Sequence, residues 1–97
     1  MATYVSLMSL TQKGIEAIKE SPARRAAAKK LIESVGGKWI GFYMLFGEWD
    51  FLTITEAPDD ATAAKVLLIV AGQGNIRTHT MKALTEVEYE NVLKSLP

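Results

Sequence analysis

The stretch from Gly37 to Ala57, GKWIGFYMLFGEWDFLTITEA, decides the fold. Two runs of apolar, aromatic and β-branched residues flank Gly47-Glu48-Trp49-Asp50, a pattern typical of two strands joined by a glycine-containing turn. A sheet with one face in water alternates cleanly between apolar and polar residues. The first run instead places apolar residues on both faces, with Ile40, Phe42, Met44 and Phe46 on one and Trp39, Tyr43 and Leu45 on the other. We therefore expect a β-hairpin in a sheet that is covered on both faces.

Composition limits the classes of protein to consider. The 97 residues are enough for one hydrophobic core, which predicts a single domain over residues 1–97. Eleven basic residues balance eleven acidic ones, so no net positive field exists to attract nucleic acid or an anionic membrane. The absence of cysteine excludes disulfides and thiolate metal sites. We expect no metal, no cofactor, no nucleic-acid partner and no membrane association.

The chain begins with a strand-like run and lacks the basic and apolar segments of a signal peptide. Its longest apolar run, residues 66–71, is too short to span a bilayer. These features predict a cytoplasmic protein.

Hydrophobic periodicity predicts the remaining elements. Residues 3–10 and 75–84 read as strands, and residues 60–71 read as a helix. Thr11 is the expected cap of a short helical turn, and a longer helix follows over residues 22–35, with Ser21 as its cap. Thr85 and Glu88 match a capping box that opens a terminal helix over residues 86–96.

This order of elements predicts an α+β, ferredoxin-like βαββαβ fold. Two helices should cover one face of a four-stranded antiparallel sheet, with a short C-terminal helix added. We expect the helices to meet Val5, Leu7, Ile40, Phe42, Met44, Leu52 and Ile54. The other face would then carry Tyr4, Met8, Trp39, Tyr43, Leu45, Trp49 and Phe51. Because so apolar a surface is uncommon on a soluble monomer, we expect a homodimer that closes an α/β barrel between its subunits.

Several segments resemble the GYD-domain family over almost the whole chain. They are Gly36-Gly37-Lys38, Gly41-Phe42-Tyr43, Gly47-Glu48-Trp49-Asp50-Phe51 and Glu56-Ala57-Pro58-Asp59-Asp60, with similar stretches at Thr3–Leu7 and Gly74–Thr78. The family is named for a Gly-Tyr-Asp signature. Here Gly47 and Asp50 match it, and Trp49 stands at the position of the tyrosine.

The resemblance implies a place in the dimeric α/β-barrel group of ferredoxin-like folds. That group includes small monooxygenases, lactone isomerases and amino-acid-sensing regulatory domains. A shared fold does not choose among these activities.

Candidate site residues fall into two sets. His79, the one histidine, shares a strand face with Arg77, so His79 is a candidate general base or haem ligand and Arg77 a candidate anchor for an anionic group. An interface or surface histidine without a ligand is the favoured alternative. The second set is an aromatic lining for a planar organic ligand, where aromatic packing within the core and dimer interface explains the pattern equally well. Its members are Tyr4, Trp39, Tyr43, Trp49 and Phe51.

Charged residues elsewhere favour structural roles. Asp50 is expected to accept backbone N–H groups at the hairpin rather than to act in a carboxylate pair with Glu48. The basic cluster of Arg24, Arg25, Lys29 and Lys30 is expected to be a solvated helix face rather than a phosphate site.

Three functions remain open at this point. The first is a homo-oligomeric small-molecule-binding domain, without covalent chemistry, whose cavity lies between the sheet and a partner subunit. The second is a small cofactor-independent or haem-type monooxygenase or isomerase that uses His79 and Arg77. The third is a purely structural assembly unit with a filled interior.

Overall fold

Four strands form one antiparallel sheet in the computed structural model, which describes residues 1–97. The strands are β1 (Ala2–Leu10), β2 (Lys38–Met44), β3 (Phe51–Ala57) and β4 (Ile76–Ala83). Their order across the sheet is β2-β3-β1-β4, which places the first and third strands at its centre. The predicted α+β, ferredoxin-like arrangement is confirmed.

The chain has four helices, three of which begin at a side-chain cap. The four are α1 (Gln12–Glu16), α2 (Ser21–Ser34), α3 (Asp60–Gly72) and α4 (Glu86–Lys94), and one 3₁₀ turn (Ile18–Glu20) joins α1 to α2. The Asp59 side chain accepts a hydrogen bond from the Thr62 amide at the start of α3. Thr85 and Glu88 form a complete capping box at the start of α4. The prediction of Ser21 as the cap of α2 is wrong, because Ser21 is itself helical and no side chain caps that helix. Every predicted helix end nevertheless lies within two residues of the observed one.

Helices α2 and α3 lie on one face of the sheet, and the prediction of which residues they meet is wrong for β1 and β3. Strand pairing aligns Tyr4 with Thr55, and Met8 with Phe51, on the helix side. Val5 pairs with Ile54, and Leu7 with Leu52, on the opposite side, which we call the uncovered face. Period-2 alternation assigned the more apolar row to the helices, whereas the structure leaves that row uncovered.

A β-bulge explains the mixed outcome on β2. The register with β3 shifts between Trp39 and Gly41, so Trp39 pairs with Thr55 and Phe42 pairs with Thr53. Both side chains therefore face the helices, although an unbroken strand would place them on opposite faces. Phe42 on the helix side and Tyr43 on the uncovered face agree with the prediction, and Trp39 does not.

Helix α4 extends away from the rest of the chain. It makes at most isolated contacts with the other elements, and Val92 and Leu93 are both exposed. The accessible surface is 6590 Å², against about 5,500 Å² expected for a folded monomer of 10.6 kDa. The radius of gyration is 14.7 Å, against about 12.5 Å expected for this length. The chain alone thus exposes roughly 1,100 Å² more surface than a typical monomer of its size.

The longest helix has 14 residues, and no helix combines the length and apolar character that crossing a bilayer requires.

Candidate functional site

A cavity of about 370 Å³ separates the sheet from α2 and α3. Its floor is the helix-facing side of the sheet, and its roof includes Leu31 and Ile32 of α2 with Val66 and Val70 of α3. Only six of the 97 residues are buried, so the helices stand on the sheet without filling the space beneath them. Known ligand sites commonly enclose about 300–1,000 Å³. The volume lies near the lower end of the range found for small-molecule sites, and the lining is largely apolar.

At one end of the cavity, the Tyr4 side chain is hydrogen-bonded to the start of α3. The Tyr4 hydroxyl donates to Asp60 Oδ1, and Lys82 Nζ lies 3.1 Å from the same carboxylate oxygen. The bond to Asp60, followed by burial, raises the pKa of Tyr4 to about 12. The same bond, followed by that from Lys82, lowers the pKa of Asp60. This end therefore holds a protonated phenol and an ionised carboxylate at neutral pH.

The other end is lined by two arginines of α2. Arg24 donates from Nη1 to the Ala17 carbonyl at 3.0 Å, which ties α2 to the preceding turn. The Arg25 guanidinium lies 4.7 Å from the centre of the Phe42 ring. Both arginines line the cavity, and only the half-buried Arg24 departs from the expected solvated basic face, since Arg25, Lys29 and Lys30 are exposed.

The predicted aromatic residues divide between the two sides of the sheet. Tyr4, Trp39 and Phe51 line the cavity beneath the helices. Tyr43 is 59% exposed on the uncovered face, and Trp49 stacks on His79 with ring centres 5.8 Å apart. The five residues thus form no single lining in one chain, and the role of each in ligand binding stays a prediction.

His79 and Arg77 are exposed on β4, away from the cavity. His79 pairs with Leu7, which places its imidazole on the uncovered face. Besides Trp49, the structure places no aromatic ring against it, and the chain gathers no group of three His, Asp or Glu able to hold a metal ion. Within one chain this arrangement offers no enclosed reaction site, and the catalytic role of the pair stays a prediction.

The family-motif residues act on the hairpin loop. Gly47 has φ +101°, a conformation that side chains with a Cβ rarely adopt. The Asp50 carboxylate accepts from the Leu10 amide at 2.8 Å, and the Asp50 amide donates to the Met8 carbonyl at 2.8 Å. Asp50 thus has the structural role expected from the sequence. Asp50, through its bonds to β1, and Trp49, through its contact with His79 of β4, hold the loop against these two strands.

The cavity also contains residues that the sequence reasoning missed. Ser6 and Thr80 share a hydrogen bond of 2.8 Å on its floor, and Thr53 is only 3% exposed. The available signal was the period-2 row of hydroxyl residues that runs through β1, β3 and β4. Small polar residues on strands are commonly exposed, so such a row does not by itself predict the floor of a cavity.

Two further surfaces of the chain are apolar and unpartnered. The uncovered face carries Val5, Leu7, Leu52 and Ile54 beside the exposed Tyr43. Helix α4 carries a stripe at 3–4 spacing, which we call the α4 stripe. Its members are Tyr89, Val92 and Leu93 on the helix and Leu96 two residues beyond its end, which are 56%, 48%, 45% and 62% exposed.

Comparison with known proteins agrees with the pattern of the hairpin. The family model of the GYD domain matches residues 4–93. The chain is also 32% identical over 85 residues to the "Glutamine synthetase and cystathionine beta-lyase binding protein" of Thermus thermophilus. That alignment covers 87% of this chain and 90% of the relative. The chain therefore belongs to the GYD-domain family.

Proposed function

We propose that this chain is a protein-binding module that forms a homodimer through its uncovered face and holds a second protein with α4. The observation that carries the proposal is the pair of apolar surfaces, on the sheet and on α4, that no part of the same chain covers. The relative from Thermus thermophilus is named for binding two enzymes, which supports a protein-binding role.

The area of exposed surface favours a protein partner. A stable interface buries about 800 Å² on each partner, and this chain exposes roughly 1,100 Å² beyond the surface expected for its mass. Burial of 600 Å² of apolar surface would contribute about 15 kcal/mol before the costs of association. A protein surface is therefore the occupant that fits the excess.

The uncovered face is suited to a second copy of the chain. Its central rows, which include Leu7 and Leu52, are flat and apolar, and two such sheets can stack face to face. Tyr43 and Phe46 are exposed near the hairpin and extend this surface at one edge. A twofold axis through this face would bury the same residues of both subunits.

Helix α4 is suited to a groove on another protein. Amphipathic helices are recognised through apolar residues at positions i, i+3, i+4 and i+7. Tyr89, Val92 and Leu93 take the first three of these positions on α4, and Leu96 has the spacing of the fourth but follows the end of the helix at Lys94. Because α4 makes at most isolated contacts with its own chain, little would have to be broken before it binds.

Binding to purified enzymes tests this function. Glutamine synthetase and cystathionine β-lyase from the organism that encodes the chain are the first partners to measure, by biolayer interferometry. Leu93→Glu in the α4 stripe should weaken binding about tenfold or more. The matched control Asn91→Glu adds the same charge outside the stripe and should bind as the wild type does. Equal binding by the two variants, or no binding of either enzyme by the wild type, would refute the role of α4.

The second candidate function is binding of a small organic molecule, which the cavity favours. The sequence predicts the ligand between the sheet and a partner subunit, whereas the cavity beneath α2 and α3 offers a partly open site within one chain. An open volume of this size also argues against a purely structural unit with a filled interior. Neither function excludes the other, because the cavity and the uncovered face lie on opposite sides of the sheet.

A further inference from the structure

The cavity beneath α2 and α3 has a lining whose chemistry changes from one part to another. Its roof is aliphatic, and its floor contains hydroxyl groups along the middle of the sheet. An empty space in a core forfeits the packing of the groups around it, so a ligand that fits should stabilise the fold. The polar groups of the lining identify the kind of ligand.

The floor offers hydrogen bonds that the protein leaves partly unused. Ser6 and Thr80 bond to each other at 2.8 Å, whereas the hydroxyls of Thr53, Thr55 and Thr78 have no side-chain hydrogen bond within the protein. Thr53 is the least exposed side chain among the buried residues, at 3%. No side-chain oxygen of the chain is both buried and unpartnered, so these three hydroxyls still reach the open space of the cavity. A polar atom on a ligand would therefore find partners at the middle of the floor.

One wall of the cavity is aromatic. The rings of Phe42 and Phe51 lie 5.2 Å apart between centres, and those of Trp39 and Phe42 lie 6.3 Å apart and nearly parallel. Ring surfaces at these distances suit a flat apolar body, which gains by stacking or edge contact. The wall therefore favours an aromatic ligand over a branched aliphatic one.

The end next to this wall is positively charged. Arg24 and Arg25 both line it, and Glu20 is the one carboxylate that pairs with them, 3.7 Å from Arg24. Arg24 is largely occupied by the Ala17 and Gly14 carbonyls, whereas Arg25 meets only the face of Phe42. Two guanidinium groups against one carboxylate leave a net positive charge, which attracts an anion and repels an amine.

We propose that this cavity binds a small aromatic carboxylate, with its ring against Trp39, Phe42 and Phe51 and its carboxylate beside Arg25. The assignment rests on the second candidate function and names its class of ligand. It is independent of the uncovered face and of α4. The cavity volume, equal to that of about a dozen water molecules, accommodates one ring with one or two substituents.

The two tryptophans allow a direct test, because Trp39 lines the cavity and Trp49 does not. The Trp49→Phe variant keeps Trp39 as its one indole, and the Trp39→Phe variant keeps Trp49. Titration with para-nitrobenzoate, whose nitroaromatic ring quenches indole emission, should quench the first variant along a saturable curve. The second variant should show only weak quenching that rises linearly with concentration. Equal curves for the two variants would overturn the site and the second candidate function together.

Charge and volume variants then test the class of ligand. Arg25→Gln should weaken para-nitrobenzoate binding about fivefold, as expected for a partly exposed charge, and Lys30→Gln on the exposed side of α2 should leave it unchanged. Ala28→Leu, which fills part of the roof, should weaken binding of any ligand. If neutral para-nitrobenzamide quenched Trp39 with the same affinity as the carboxylate, the aromatic carboxylate would be overturned as the ligand class. The proposal of a small-molecule site in the cavity would remain.

Discussion

At the scale of single residues, the family motif is explained by the structure of the hairpin loop. Gly47 supplies a positive φ, Asp50 bonds to the backbone of β1, and Trp49 covers His79 of β4. A tyrosine at the position of Trp49 would also present a flat ring to His79. The exchange of tyrosine for tryptophan is therefore compatible with a motif that holds the loop in place.

Replacement of Trp49 tests this explanation. Trp49→Ala should lower the free energy of unfolding by about 2 kcal/mol, because a half-buried ring and its contact with His79 are lost. Trp49→Phe keeps a ring and should cost less than half as much. Guanidinium denaturation followed by circular dichroism measures both. An unchanged midpoint for Trp49→Ala would show that the ring does not stabilise the loop.

Tyr4 and Asp60 give the stability a dependence on alkaline pH. The pKa of Tyr4 is raised to about 12 in the folded chain, chiefly by its hydrogen bond to Asp60, whereas an unfolded tyrosine titrates near 10. The unfolded state therefore loses its proton first, and stability falls as the pH rises from about 10 to about 12.

Comparison with Tyr4→Phe isolates this effect, since both proteins keep Tyr43 and Tyr89. The difference between their absorbance titrations should show one phenol that ionises near pH 12. The melting temperature of the wild type should also fall more steeply than that of Tyr4→Phe over the same range. A difference titration centred near pH 10 would contradict the hydrogen bond.

At the scale of elements, the sequence predicts where helices and strands begin and end but not which way the strands face. Thr11, Asp59 and Thr85 cap helices through neighbours in the chain, so their signals are local. The direction of β1 cannot be read in the same way, because Tyr4 and Met8 on one face compete with Val5 and Leu7 on the other. Both rows are apolar enough to be predicted as the row that faces the core.

The candidate site was predicted only in part for the same reason. The sequence predicts an aromatic lining that includes Tyr4, Trp39 and Phe51 but assigns it to the uncovered face. The competing apolar rows of β1 and β3 explain this for Tyr4 and Phe51, and the bulge after Trp39, which leaves no clear sequence signal, explains it for Trp39. The cavity itself depends on the distance between the helices and the sheet. That distance results from the packing of many side chains and has no single motif.

Helix α4 should be dispensable for the stability of the domain. It makes at most isolated contacts with the other elements, so removal of residues 86–97 should change the melting temperature by less than about 3 °C. Differential scanning calorimetry measures this at a concentration where both proteins have the same oligomeric state. A decrease of about 10 °C would mean that α4 packs on the domain in solution.

At the scale of the whole molecule, the surfaces are arranged for two kinds of contact. The helix side contains a cavity, and the other side presents an apolar sheet with Tyr43 and Phe46 near one edge. The chain is elongated, with a long axis of 53 Å, and α4 makes at most isolated contacts with the other elements. A second copy on the uncovered face would bring the exposed area into the range of ordinary folded proteins.

The burial of the uncovered face by a second copy is the central claim, and sedimentation velocity tests it most directly. The wild type at micromolar concentration should sediment with twice the 10.6 kDa mass of the chain. Tyr43→Glu places a charge on the uncovered face and should shift the protein toward the monomer. The control Ala23→Glu, on the exposed side of α2, should stay dimeric. A wild-type monomer throughout the micromolar range, or equal sedimentation of the two variants, would contradict the claim.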